Sequence, residues 1–171
     1  MLRPEKRMDL LIRAARKVVD QHPNVRFAIA GEGRQRPELK TLIDELGLQQ
    51  HVGLKGRISD VLGFLAGADI GVNCSDTEGL SNSVMECMAA GLPMVATAVG
   101  GNLELVRPGQ NGLLVSPNQP HELADSISRL IQSPAERVRM GEAGGRFVRE
   151  NFSMDAIADR YAKFYDSVVC A

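Results

Sequence analysis

Two hydrophobic rhythms alternate along the chain. Met8, Leu11, Ile12, Ala15, Val18 and Val19 recur at steps of three and four and stop at His22-Pro23. That is the stripe of an amphipathic helix. Val25 to Ala30 follows as a strand-length apolar run, closed by Gly31-Glu32-Gly33. Leu39, Leu42, Ile43 and Leu46 predict a second helix, ended by Gly47. Val52 to Leu54 predicts a short strand, and Ser59 or Asp60 can cap a helix running to Ala66. Asp69 to Asn73 predicts a buried strand, with a helix opening near Ser81 or Asn82. Pro93 to Thr97 is the next strand, broken by Gly100-Gly101. A short helix near Leu103 to Val106 runs into a Pro108-Gly109 turn, and Gly112 to Val115 is the last strand.

Three helices close the chain. Leu123, Ile127, Leu130 and Ile131 mark the first. Ser133-Pro134-Ala135-Glu136 has the pattern of a capping box with proline at the first helical position. Ile157, Tyr161, Phe164, Tyr165 and Val168 mark the last. Strands alternating with helices predict one α/β domain: a parallel sheet with helices on both faces. Ligands in such sheets bind at the carboxyl ends of the strands. Gly31-Glu32-Gly33, Glu78-Gly79 and Gly100-Gly101 all follow strands, so they should gather at one edge.

The totals narrow the function classes. The chain has 171 residues, 44% hydrophobic and 24% charged, with net charge -1. That balance gives no pull toward a polynucleotide. Five Phe, two Tyr and no Trp make no base-stacking surface. No apolar run approaches the roughly 20 residues of a membrane span, and no signal peptide is read at the start. Peripheral membrane contact stays open. Cys74, Cys87 and Cys170 have no C-x-x-C spacing and suggest a reducing compartment without a metal site. Cys74 reads as a small apolar filler at a strand end. His22, His51 and His121 are scattered and read as surface or loop residues.

The chemistry concentrates between Glu78 and Glu86. The run Glu78-Gly79-Leu80-Ser81-Asn82-Ser83-Val84-Met85-Glu86 joins a strand to a helix. The free N–H groups of a helix's first turn make an anion site. Glu86 stands four residues after Asn82, on the same helix face. Its neighbours Val84, Met85, Cys87, Met88 and Ala89 are apolar. A carboxylate among them is costly unless donors meet it, which points to a ligand. A glycosidase dyad would need two carboxylates about 5–9 Å apart across one bond, and nothing places these so. Gly31-Glu32-Gly33 is not a dinucleotide fingerprint, because Arg36 stands where the third glycine belongs. No Asp-x-Asp pair is present to bridge a metal to a diphosphate.

Glu-x7-Glu followed by Ala89-Ala90-Gly91-Leu92-Pro93 and by Val99-Gly100-Gly101-Asn102-Leu103-Glu104-Leu105-Val106 resembles the donor half of the family 4 (group 1) retaining glycosyltransferases. Arg3-Pro4-Glu5-Lys6, Ala30-Gly31-Glu32-Gly33, Lys55-Gly56-Arg57-Ile58, Asn111 to Val115 and Asn151-Phe152-Ser153 fit the same family in the same order. The resemblance covers nearly the whole chain. It implies a Rossmann-like fold, the C-terminal half of a two-domain GT-B enzyme whose first strand and Gly-Arg precede the Lys segment and are missing here. It implies a nucleotide diphosphate sugar substrate, UDP-linked, with no cofactor and no metal.

Carried onto this chain, the resemblance gives Lys6 and Glu78 the catalytic roles, at the diphosphate and the donor sugar. It gives Glu86 the ribose hydroxyls and Arg57 and Ile58 the base. Gly79, Leu80, Ser81 and Asn82 line the phosphate loop, and Gly31 and Gly33 form a site turn. Transfer would retain configuration, the donor phosphate assisting the acceptor hydroxyl. The acceptor, a sugar or glycolipid of polysaccharide or glycolipid synthesis, would be held by the other domain, so this chain alone should bind without turnover. The implied location is the cytoplasm, with peripheral contact at the inner face of the membrane. Leu80-Ser81-Asn82 departs from the family's usual aromatic and glycine, and Asn102 replaces a more usual apolar residue. A sugar-nucleotide epimerase half and a noncatalytic nucleotide-sugar-binding module are the rival readings.

Overall fold

The computed structural model describes residues 2–169; Cys170, the third cysteine named above, lies outside them. After a 3-10 turn at Pro4–Lys6 come α1 (Met8–Gln21), β1 (Phe27–Ala30), α2 (Arg36–Glu45), β2 (Val52–Gly56) and α3 (Val61–Ala66). Then follow β3 (Gly71–Asn73), α4 (Asn82–Ala89), β4 (Met94–Thr97), α5 (Asn102–Leu105) and β5 (Gly112–Val115). The chain closes with α6 (Pro120–Gln132), α7 (Pro134–Phe152) and α8 (Met154–Val169). This is an α/β fold with parallel strands, and the expected elements are present with small shifts at their ends. β1 and β3 begin two residues late, and β2 runs on two residues to Gly56.

The strands are parallel with helices on both faces, as the pattern predicted, and their ladders fall into two groups. β1 and β2 make one parallel pair, with Phe27 opposite Val52. β3, β4 and β5 make a second, three-stranded parallel sheet, with Met94 opposite both Gly71 and Gly112. No ladder joins β1 to β3 among the described residues. What spans the two sheets is a helix and a loop. The α1 stripe buries Leu10, Leu11, Ile12, Ala14, Ala15, Val18 and Val19, and the helix packs against both α2 and α6. Each large apolar side chain so buried contributes roughly 1.5–3 kcal/mol. The loop before α1 bonds to the turn that follows β1 through Leu2 N to Glu32 O, 2.8 Å. It accepts from the loop that follows β3 through Asp76 N to Glu5 O, 2.9 Å.

Strand periodicity places helices on both faces. In β4, Val95 joins a core cluster with Ile29, Cys74, Leu113 and the α1 and α6 side chains. Its neighbours Met94 and Ala96 join Val84 and Met88 of α4, with Leu105 and Val106, in a second cluster on the opposite face. The Cys74 thiol is buried and pushed up to about 12 by that burial, as suits an inert filler.

One local expectation fails. Ser133 makes no side-chain capping bond to α7. Its intended partner Glu136 instead accepts from Arg129, 2.6 Å, across the α6–α7 turn, and a charged donor wins over the cap. The apolar stripe of α8 is not core. The helix buries no residue, and Tyr161, Phe164, Tyr165 and Val168 are all exposed.

Candidate functional site

The carboxyl end of β3 builds the site. Asn73 ends that strand, and Cys74 to Ser81 carry the chain over to α4. Glu78 sits in this loop with its side chain only 8% exposed. One oxygen, Oε1, accepts three bonds: from Lys6 Nζ at 2.7 Å, Ser75 Oγ at 2.7 Å and Asn73 Nδ2 at 2.9 Å. Burial pushes the Glu78 carboxyl up, but the Lys6, Asn73 and Ser75 donors outweigh it and hold the group below its ordinary range. Lys6 and Glu78, assigned separate tasks in the sequence, are thus direct partners here.

Lys6 is held from behind. The Cys74 thiol donates to the carbonyls of Lys6 and Arg7. Arg7 takes a left-handed backbone, φ 48°, and its guanidinium donates to Asp9, to Asp76 and to Asn118 Oδ1. Gly33 lies against the backbone of Leu2, where a Cβ would come within 2.2 Å of the Leu2 carbonyl oxygen. Gly33 therefore seats the strap that carries Lys6, and Gly31 N bonds Gly56 O, 2.7 Å, tying the β1 turn to β2.

A second loop closes over the first. Gly100 has φ 44°, and a Cβ there would stand 1.9 Å from the Glu78 carbonyl oxygen. At Gly101 a Cβ would stand 2.1 Å from the Gly79 carbonyl oxygen. The glycines let the two backbones touch, and Gly101 N donates to Glu78 O, 3.3 Å. Beneath them runs a polar network that the sequence reading passed over. Asn102 Nδ2 donates to Asn73 Oδ1, 3.1 Å, and to Thr97 O, 3.0 Å. Thr97 Oγ1 donates to Ser75 O, 2.6 Å. The available signal was Asn73, a lone amide closing an otherwise apolar strand.

Gly79 and Leu80 are exposed on the loop. Ser81 is buried at the N-cap of α4, its hydroxyl near Asn73 Nδ2 and Ser83 Oγ rather than on the helix's own N–H groups. The first-turn N–H groups of α4 are therefore not capped by Ser81. Asn82 and Glu86 share the exposed side of α4. The expectation of a desolvated Glu86 is corrected here. Val84 and Met88 point into the core, while Glu86 faces solvent on the other side of the same helix. Arg57 and Ile58 follow the carboxyl end of β2, exposed and half-buried respectively. The predicted residues thus lie at the carboxyl ends of both sheets, joined by the Leu2–Lys6 strap.

A buried carboxylate, a lysine and an open helix N-terminus at the carboxyl ends of parallel strands define a site suited to a ligand carrying both anionic and hydroxyl groups. Residues 1–147 match the family described as glycosyl transferases group 1, and the chain belongs to that family. It is 31% identical over 166 residues to the alpha-D-kanosaminyltransferase of Streptomyces kanamyceticus, covering 96% of this chain and 43% of that protein. The crystal structure of Anabaena HepE in complex with UDP superposes with a TM-score of 0.90 at 27% identity, covering 97% of this chain and 46% of that one. The C-terminal domain of the group 1 glycosyl transferase LpcC from Francisella tularensis shares the fold, with a TM-score of 0.80 at 24% identity, over 90% of this chain and 83% of that one. This chain therefore spans less than half the length of the curated relative and of the HepE chain.

Proposed function

We propose that the chain is a donor-binding domain, the C-terminal half of a retaining glycosyltransferase, and that it holds a nucleotide diphosphate sugar, UDP-linked, on the shelf between Lys6 and Glu86. The observation that carries this reading is the Lys6–Glu78 contact beside the N-terminus of α4. Lys6, the loop N–H groups from Gly79 to Ser81 and the first turn of α4 from Asn82 face the diphosphate. All stabilise the charge that develops as it departs. Glu78 accepts from the donor sugar, Glu86 from the ribose, and the loop at Arg57 and Ile58 receives the base. Gly31 and Gly33 shape the turn beside them. HepE, similar over most of this chain, has been crystallised with UDP, which supports the base.

Transfer to an acceptor hydroxyl, a sugar or glycolipid, requires that hydroxyl held against the donor and shielded from water. The open shelf supplies no such wall, so transfer belongs to a two-domain protein. The reading places the protein in the cytoplasm, at the inner face of the membrane where the acceptor is a glycolipid. Among the described residues no helix is long and apolar enough to cross a membrane.

Isothermal calorimetry with UDP and UDP-glucose tests the reading. Binding should persist in excess chelator, because Lys6 and the helix N-terminus supply the positive field and no group of three or more metal-ligating side chains is found among the described residues. Binding that disappears on chelation would contradict it. The division of roles is tested with two substitutions. Glu86→Gln should weaken UDP itself by about tenfold or more, the size of a lost charge-assisted hydrogen bond. Glu78→Gln should leave UDP affinity intact, since it releases Lys6 from its carboxylate, and weaken only the sugar-bearing ligand. Equal losses of UDP in both variants would overturn the assignment.

A further inference from the structure

The polar network beneath Glu78 has a direction. Asn102 is fully buried, and its Nδ2 donates to two oxygens, Asn73 Oδ1 and Thr97 O. Turning the Asn102 amide over would set its oxygen against both. Its orientation is therefore fixed by its donor end, even though Oδ1 is left buried with no protein partner. Asn73 inherits that choice. Its Oδ1 accepts from Asn102 and from Ser75 N, 3.3 Å, so its Nδ2 must face the other way, toward Glu78 Oε1 and Ser81 Oγ.

We propose that Asn102 is a positioning residue for the donor site: by fixing which end of the Asn73 amide meets Glu78, it sets the carboxylate's rotamer and charge for a sugar ligand. The role in ligand selection rests on the donor-domain reading above; the orienting of Glu78 does not. The network explains why an amide stands at 102 directly after the two glycines. The glycines bring the loops into backbone contact, and the amide then reaches Asn73 from beneath. Of the described residues, Lys6 is the charged group in contact with Glu78. Ser75 on the loop and Asn73 on β3 are the neutral donors. Without Asn102, Asn73 Oδ1 keeps only the longer Ser75 N bond, 3.3 Å, so the amide holds its Nδ2 on the carboxylate less firmly, which favours the protonated acid.

Nuclear magnetic resonance of the unliganded protein tests the orienting. In the wild type, the Asn73 and Asn102 side-chain amide protons should both shift with the titration of the Glu78 carboxyl. In Asn102→Leu the Glu78 carboxyl should titrate at higher pH than in the wild type. Asn111→Ala is the control. Asn111 is also a buried amide, bonded to Leu105 O and Arg107 N, but it does not touch the Glu78 network. It should lower stability and leave the Glu78 titration unchanged. An Asn102 amide that ignores the Glu78 titration in the wild type overturns the proposal even if Asn102→Leu does not fold. So does an unshifted Glu78 in a folded Asn102→Leu.

Calorimetry gives the second arm. The ratio of UDP-glucose to UDP affinity should fall about tenfold in Asn102→Leu and hold in Asn111→Ala. If the wild type binds neither ligand while the resonances move together, the donor-domain reading fails and the orienting of Glu78 stands. If both ligands bind and the ratio is unchanged in Asn102→Leu, the role of Asn102 in ligand selection is overturned.

Discussion

Gly100→Ala should lower unfolding stability by about 2–5 kcal/mol, a large part of what a domain of this size possesses. Two penalties combine. The backbone there has φ 44°, where a side chain costs about 1–2 kcal/mol. The added Cβ would also lie 1.9 Å from the Glu78 carbonyl oxygen and 3.0 Å from its carbon. Backbone atoms cannot step aside as a flexible side chain can, so overpacking of about 1–3 kcal/mol is added. Gly101→Ala carries the contact with Gly79 O, 2.1 Å, without the positive φ, and should cost less. Gly109→Ala has φ 75° with open space around it and isolates the backbone term. Urea denaturation should rank the three in that order. A Gly100→Ala midpoint no lower than that of Gly109→Ala would show that the two site loops do not touch.

Lys6→Met should cost about 1.5–3 kcal/mol at pH 7, the range for a hydrogen bond to a charged group. The cost stays below the 3–5 kcal/mol of a fully buried broken pair, because the Lys6 side chain is 33% exposed. The pH dependence identifies the cause. Glu78 in the folded protein titrates below its ordinary range, so its contribution is present above the unfolded carboxyl's pKa. It is lost as pH falls through the lower folded value. Lys6→Met removes the main opposing influence and leaves burial, which pushes the carboxyl up. The stability gap between wild type and variant should therefore be widest near neutral pH and narrow as pH falls below the ordinary carboxylate range. A gap that stays constant from pH 7 into the acid would mean that Lys6 supports the fold by packing alone.

What could be read from the sequence followed from local chemistry. The α1 stripe and the apolar β4 stand where the periodicity put them, because burial of one face decides both. The motif residues Lys6 and Glu78 were found, but not their partnership. They are 72 residues apart, and only the fold brings them to 2.7 Å. Glu86 was misjudged in its surroundings because neighbours in sequence were taken for neighbours in space. On a helix, Val84 and Met88 point away from the face that carries Glu86. Asn102 was noted only as a departure from the family pattern, and its link to Asn73 escaped notice because a single amide looks the same whether it faces water or orders a buried network. The Glu136 half of the Ser133 capping box failed for a related reason: Arg129 on the preceding helix takes that carboxylate, and a pattern of four residues does not register it.

The break between β1 and β3 bears on how the molecule moves. A ladder of backbone bonds transmits displacement stiffly from strand to strand, whereas side-chain packing yields by small sliding steps. With α1 and the Leu2–Lys6 strap as the connection, the β1–β2 unit and the β3–β4–β5 unit form two bodies of strands packed on one shared core. The loop at Arg57 and Ile58 rides on the first body, and Glu78 and α4 ride on the second. A nucleotide sugar reaching from one to the other would act as a cross-link between them. Part of its binding free energy would then appear as lost internal motion, and the ligand itself would complete the rigidity that the backbone leaves open.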